Sequence, residues 1–184
     1  MNLPNKLTVL RLFLTGGFVI STAIDWPYAW TAGFVIFCVA AYTDHLDGSI
    51  ARKHNLITNF GKLMDPLADK VLVAAALVAL VAEGMVQAWV VVLILGREFL
   101  VTGMRLVAAG EGKVVSADKF GKLKTVLQMV AIIGFLGVMS IGEFGLNWPW
   151  LESTSAAVMY AALAITCFSG FRYLRANREV FGDA

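Results

Sequence analysis

The sequence predicts an all-α, polytopic membrane protein of six transmembrane helices with both termini cytoplasmic, and two observations carry that prediction. Hydrophobic residues make up 59% of the 184 and charged residues only 15%, which leaves too little polar surface to cover a soluble domain of this size. The lysines and arginines that do occur collect at one end of the apolar stretches. A net charge of +2 is too small to point to nucleic acid as a partner. Residues 1–184 are expected to form a single domain. Met1 to Arg11 lacks a small-residue cleavage site and leads directly into an apolar run, so it is expected to be retained.

In chain order, six stretches approach the roughly 20 apolar residues that cross a hydrocarbon core. The first covers about 8–24, and Asn2 to Leu7 before it, too short and polar to span, suits a short interfacial segment. The second, about 28–51, borrows the polar residues from Asp44 onward. The third, about 61–82, is the most informative. After Lys70 only Val71 to Ala82 remain, twelve residues that reach about 18 Å against a core of about 30 Å, so the Asp65–Asp69 turn must belong to the span. The fourth, about 86–109, contains Arg97 and Arg105, and the fifth, about 119–142, opens on Lys119, Lys122 and Lys124. The sixth, about 153–174, carries Ala156, Ala157, Ala161, Ala162 and Ala164, small residues suited to close packing within the subunit or across a homodimer. Cys38 and Cys167 fall in apolar runs and read as small buried hydrophobes.

Orientation follows from the basic residues, which stay on the cytoplasmic side. Lys6, Arg11, Arg52, Lys53, Lys113, Lys119, Lys122, Lys124, Arg172, Arg175 and Arg178 fall at one end, with Lys62, Lys70, Arg97 and Arg105 in the helical halves nearest it. The opposite turns, around Asp25, Glu83 and Glu143 to Glu152, carry no basic residue, and Trp26, Trp30, Trp89, Trp148 and Trp150 gather there as an interfacial belt would. The C-terminal arginines suit anionic membrane lipids.

Between Asp44 and Lys70 the chain places two carboxylate pairs on consecutive spans. Asp44 and Asp47 are three apart, and Asp65 and Asp69 four apart, so each pair occupies one helical face. Four carboxylates at close range repel unless cations sit among them, and oxygen-only ligation favours Mg²⁺, Mn²⁺ or Ca²⁺ over zinc. Capping of helix ends explains one such aspartate as well as metal binding does, but not four at this spacing and depth. Gly48 and Gly61 remove side chains close to the carboxylates, which suits ligand approach or close helix packing. Pro66 removes a donor just after Asp65, where a kink would redirect the carboxylate.

The string D-x-x-D-G-x-x-A-R, eight residues, then G-x-x-x-D-x-x-x-D resembles the signature of the CDP-alcohol phosphotransferases, with Asp44, Asp47, Gly48, Ala51, Arg52, Gly61, Asp65 and Asp69 at its fixed positions. The resemblance implies two divalent ions, Mg²⁺ or Mn²⁺, held by Asp44, Asp47, Asp65 and Asp69 over the pyrophosphate of a CDP-linked substrate. It makes Asp69 a ligand or the general base for the attacking hydroxyl, and it implies CDP contacts from Asp44, Gly48, Ala51, Arg52 and Gly61.

Within the family the chain is most like the branch that joins CDP-diacylglycerol to glycerol 3-phosphate. Asn5, Thr8 and Arg11 share one helical face suited to nucleotide or phosphate. Arg97, Arg105, Lys122, Lys124 and Thr125 offer ligands for the acceptor phosphate, with Arg105 and Lys122 leading. For Lys119, Lys122 and Lys124 an ordinary positive-inside fringe competes with that role, and for Arg97 a pair with Glu98 or an aspartate. Acceptors such as serine, inositol phosphate or phosphatidylglycerol define sister enzymes. A divalent-cation transporter would need acidic residues through the membrane, and the far half has almost none.

Overall fold

The computed structural model describes residues 3–54, 59–110 and 119–176, with the side chains of 3–5, 44–54, 59–63, 65, 66, 109, 110, 119 and 120 outside that description. Six helices are formed: α1 (Leu3–Ala23), α2 (Ala29–His54), α3 (Asn59–Ala82), α4 (Ala88–Gly110), α5 (Lys119–Gly142) and α6 (Pro149–Ala176). They fall on the six expected stretches. One difference is at the start, where residues 3–7 are the opening turns of α1 and not a separate segment. Pro4 is compatible with this because a first turn has no use for its missing N–H. Helix α3 is likewise continuous across residue 66.

Among the described residues, Lys6–Ala23, Gly121–Gly142 and Pro149–Ala176 are long and apolar enough to cross a bilayer, and Ala29–Thr43 is a shorter apolar stretch of α2. Helices α3 and α4 interrupt their apolar length with charged residues, Asp69 and Lys70 on α3 and Arg97, Glu98 and Arg105 on α4. The bundle is apolar on its outside as well as within. Phe13, Val92, Leu106 and Phe171 are each about two-thirds or more exposed, a surface suited to lipid and costly in water.

Each helix rests on two or more others. Helix α1 packs on α2 and α3, α2 also on α5, α5 most extensively on α6, α6 on α4, and α4 on α3. Among the described residues, helices α4 and α5 meet hardly at all, and a cleft runs between them. The apolar core fills the half of the bundle nearest the 24–28, 83–87 and 143–148 turns, around Phe18, Phe37, Leu72, Leu80, Ile94, Ile132, Phe135 and Leu136. A small second cluster, Val101, Met104 and Tyr173, joins α4 to α6 in the other half.

The turns are closed by specific bonds. Gly84, at φ 71°, ends α3 in the left-handed conformation that glycine adopts without a side-chain penalty. Its N–H reaches the Val81 carbonyl at 3.0 Å and the next, of Met85, the Leu80 carbonyl at 3.0 Å, the pair that closes a helix C-terminus. At the start of α2, Glu143 accepts bonds from the Trp30 N–H at 2.7 Å and the Thr31 N–H at 2.9 Å. The Thr31 hydroxyl adds a third at 2.6 Å. A carboxylate at a helix N-terminus satisfies donors that have no intrahelical partner.

One packing expectation needs correction. Cys38 is half-buried but Cys167 is exposed, because the helices of this bundle are apolar on their outer faces too. On α6, Ala162 is buried and Ala156 packs against the core, whereas Ala157, Ala161 and Ala164 face outward.

Candidate active site

Towards the end opposite these turns, the core gives way to polar side chains on three helices at similar depth. Leu72 on α3 is followed, one turn nearer that end, by Asp69 and Lys70; Ile94 on α4 by Arg97 and Glu98; and Gln128 on α5 by Lys124 and Thr125. Two adjoining cavities result. One, of about 170 Å³, is lined by Asp69, Lys70, Glu98, Thr125 and Gln128 together with apolar side chains. The other, of about 370 Å³, lies in the cleft between α4 and α5 and is lined by Lys70, Arg97, Glu98, Thr102, Arg105, Lys122, Lys124 and Thr125, among others. Lys70, Glu98 and Thr125 form the wall common to both.

Among the described residues, the larger cavity gathers five basic side chains around one carboxylate. Glu98 pairs with Lys124, whose side chain is only 3% exposed. The Lys70 ammonium donates to the Thr102 hydroxyl at 2.7 Å, and that hydroxyl donates to the Glu98 carbonyl at 2.8 Å. Arg97 lies on the face of α4 that meets α6, with Val101, Met104 and Ala108, and its guanidinium donates to the Ser169 hydroxyl at 2.9 Å. Gly170 makes room for it, since a Cβ there would stand 2.9 Å from Arg97 Cγ. Arg105 is exposed at the mouth, its guanidinium 5.6 Å from the centre of the Tyr173 ring, within cation–π range.

Arg97, Arg105, Lys122, Lys124 and Thr125 are therefore brought to one cavity, with Asp69 in the next. The competing pairing of Arg97 with Glu98 is not formed: Glu98 turns to Lys124 across the cleft. Adjacent helical positions point about 100° apart, which puts the two on different faces. Lys70, Glu98 and Thr102 were missed as site residues. Glu98, Thr102 and Arg105 follow i, i+4, i+7, one face of α4, and that periodicity was the available signal.

On α1, Thr8 and Arg11 are fully buried and Thr15 nearly so, continuing a face that ends in the core at Phe18. The Thr15 hydroxyl bonds the Arg11 carbonyl at 2.8 Å. Because α1 and α2 run antiparallel from a short turn, equal residue counts put Arg11 level with the turn of α2 that leads into Asp44. A fully buried arginine requires counter-charge or acceptors around it.

Asn5, Asp44, Asp47, Gly48, Ala51, Arg52, Gly61 and Asp65 are described by their backbones alone. Their backbones place Asp44 and Asp47 near the end of α2 and Asp65 and Asp69 near the start of α3, two helices in contact. Among the described residues no three candidate metal ligands gather, and Asp69 is the single member of the aspartate set whose side chain is described. The donor chemistry of the set is carboxylate oxygen throughout, which fits a hard divalent cation.

Residues 1–168 match the family described as CDP-alcohol phosphatidyltransferase. The chain is 42% identical to the CDP-diacylglycerol–glycerol-3-phosphate 3-phosphatidyltransferase of Bacillus subtilis (strain 168), over 97% of this chain and 96% of that one. It is 37% identical to the enzyme of the same name from Rickettsia bellii, covering 98% and 97% of the two chains. With that of Salmonella paratyphi A it shares 36% identity over 96% and 95%.

Proposed function

The chain belongs to the CDP-alcohol phosphatidyltransferase family, and from that premise we propose that it transfers the phosphatidyl group of CDP-diacylglycerol to glycerol 3-phosphate, forming phosphatidylglycerophosphate and releasing CMP. The relatives that carry this activity in their names match the chain over nearly its whole length. One structural observation supports the acceptor assignment: the cation-lined cleft between α4 and α5, adjoining the Asp69 cavity. An uncharged acceptor has no use for five cations, whereas a phosphate monoester is held by arginine and lysine in a partly desolvated site.

In this reading Asp44, Asp47, Asp65 and Asp69 hold two divalent ions, Mg²⁺ or Mn²⁺, and Asn5, Thr8, Arg11, Gly48, Ala51, Arg52 and Gly61 surround the CDP moiety. When bound, the ions neutralise charge on the attacking and leaving oxygens. The chain's own residues do the rest. Arg97, Arg105, Lys122 and Lys124 fix the acceptor phosphate, which leaves its terminal hydroxyl beside Asp69. That hydroxyl oxygen bonds to the phosphorus carrying diacylglycerol, the bond from this phosphorus to the CMP oxygen breaks, and the hydroxyl proton passes to Asp69. Six spans with both termini and the site on the cytoplasmic face of the cell membrane complete the proposal, in keeping with the one-sided basic residues. The outward Ala157, Ala161 and Ala164 would let a second copy approach α6.

Purified protein supplied with CDP-diacylglycerol, Mg²⁺ and glycerol 3-phosphate should release CMP. Release with serine, inositol phosphate or phosphatidylglycerol but not with glycerol 3-phosphate would overturn the acceptor assignment. Metal flux into liposomes without CMP release would overturn the enzyme reading in favour of transport.

A further inference from the structure

Among the described residues, Glu98 is the single carboxylate on the wall of the cation-lined cavity, and the transfer chemistry described above gives it no task. A negative charge beside a phosphate site opposes anion binding, so its presence calls for a reason. Its position supplies one. Glu98 lies on the wall shared by the two cavities, with Lys70 and Thr125. A phosphate held in the cleft and a hydroxyl presented to Asp69 in the adjoining cavity are joined by a carbon chain that must pass this wall.

We propose that Glu98 is a specificity-determining residue. Its carboxylate accepts a hydrogen bond from a hydroxyl on the acceptor carbon between the phosphate arm and the attacking hydroxyl. The site thereby selects a vicinal-diol phosphate over a simple alcohol phosphate, an inference that rests on the acceptor reading above.

The chemistry of the shared wall singles out Glu98 for this role. Lys70 is a donor only and is engaged with Thr102. The Thr125 hydroxyl donates to the Gly121 carbonyl at 3.1 Å. A carboxylate is an acceptor with about four lone-pair directions, so pairing with Lys124 leaves capacity for a hydroxyl donor. It also repels a phosphate oxygen that strays from its cations, which fixes which end of the acceptor faces which cavity. Lys124 offsets the charge, so the pair bridges a cleft where α4 and α5 otherwise barely touch.

The experiment compares glycerol 3-phosphate with 3-hydroxypropyl phosphate, which keeps the phosphate and terminal hydroxyl and lacks the middle one. CMP release gives kcat/KM for both acceptors in wild type, Glu98→Gln and Glu98→Ala. A charge-assisted bond to the missing hydroxyl makes the wild type prefer glycerol 3-phosphate by roughly 10- to 100-fold. The preference should shrink in Glu98→Gln, a neutral acceptor, and fall to within about threefold in Glu98→Ala. The ratio does not depend on how much of a variant folds, so partial misfolding leaves it readable. An unchanged ratio in both variants overturns the proposal and leaves Glu98 a counter-charge for Lys124. Loss of all activity in both variants likewise assigns Glu98 to folding and overturns it. No CMP from either acceptor in the wild type would instead sink the acceptor reading, and this inference with it.

Discussion

At the turn end of the bundle, Glu143 gives both carboxylate oxygens to the first N–H groups and the Thr31 hydroxyl of α2, while at the other end Lys70, Arg97, Arg105, Lys122 and Lys124 surround a cavity with Glu98 the one carboxylate among the described residues. Both ends hold charge at partial burial. The difference lies in whether that charge is consumed. Glu143 accepts three bonds from the chain's own donors and serves to hold the start of α2 against the end of α5. Among the described residues, the cleft between α4 and α5 at the opposite end keeps an excess of positive charge facing open volume, an arrangement that costs stability unless an anion arrives. Charge satisfied within the chain builds the fold, and charge left over is what the proposed acceptor phosphate would meet.

The sharpest way to break this comparison is to remove charge on the aspartate side. Asp47→Asn should lower CMP release by about a thousandfold or more, because metal ligation and charge neutralisation fail together. Turnover within tenfold of wild type at saturating Mg²⁺ would remove Asp47 from the metal set. Next in size, Arg105→Ala should raise the apparent KM for glycerol 3-phosphate by about 10- to 100-fold with a smaller change in kcat, the signature of lost acceptor binding. Unchanged acceptor kinetics would move the phosphate site away from the mouth of the cleft.

The legibility of these two ends from sequence also differs. The six helices could be placed because apolar runs of near-spanning length give a strong local signal, and the aspartate pairs because three- and four-residue spacing defines a helical face. The clustering of Arg97, Arg105, Lys122 and Lys124 was anticipated from chemistry, since deep cations imply an anion. What could not be read were partners set by tertiary packing. Lys124 meets Glu98 across a cleft between helices that are consecutive in the chain but scarcely touch. Arg97 finds Ser169, 72 residues away, and the cap on α2 comes from Glu143, 112 residues beyond Thr31. Glu143 looked like an ordinary acidic residue in a turn. Nothing local distinguishes a solvated carboxylate from one that closes another helix.

The comparison can be sharpened from the structural side by Glu143→Gln. The amide keeps one acceptor oxygen and loses the charge that favours a helix N-terminus, so at least one α2 donor is left poorly satisfied. The variant should be less stable by about 1–3 kcal/mol, read as a lower unfolding midpoint in detergent. At a temperature where both proteins are folded, the KM for glycerol 3-phosphate should stay within about twofold of wild type. A large change in acceptor KM would mean that the two ends are coupled through α2, and that the division between fold-building and substrate-binding charge is too simple.

The smallest expected effect tests how that cap is apportioned. Thr31 contributes a backbone N–H and a hydroxyl, and the hydroxyl reaches both Glu143 and the Ser140 hydroxyl, the latter at 2.9 Å. Thr31→Val keeps the shape and the N–H bond and deletes only the hydroxyl, so the cost should be about 1 kcal/mol. If the carboxylate works mainly through the helix N–H groups, the loss in Glu143→Gln should exceed that in Thr31→Val. The double variant should then fall short of the sum of the two, since the Thr31–Glu143 bond would be counted in both single losses. Strict additivity would show that the Thr31 hydroxyl is held by Ser140 and contributes nothing through Glu143, leaving the backbone donors of α2 as the sole reason for the carboxylate at that end.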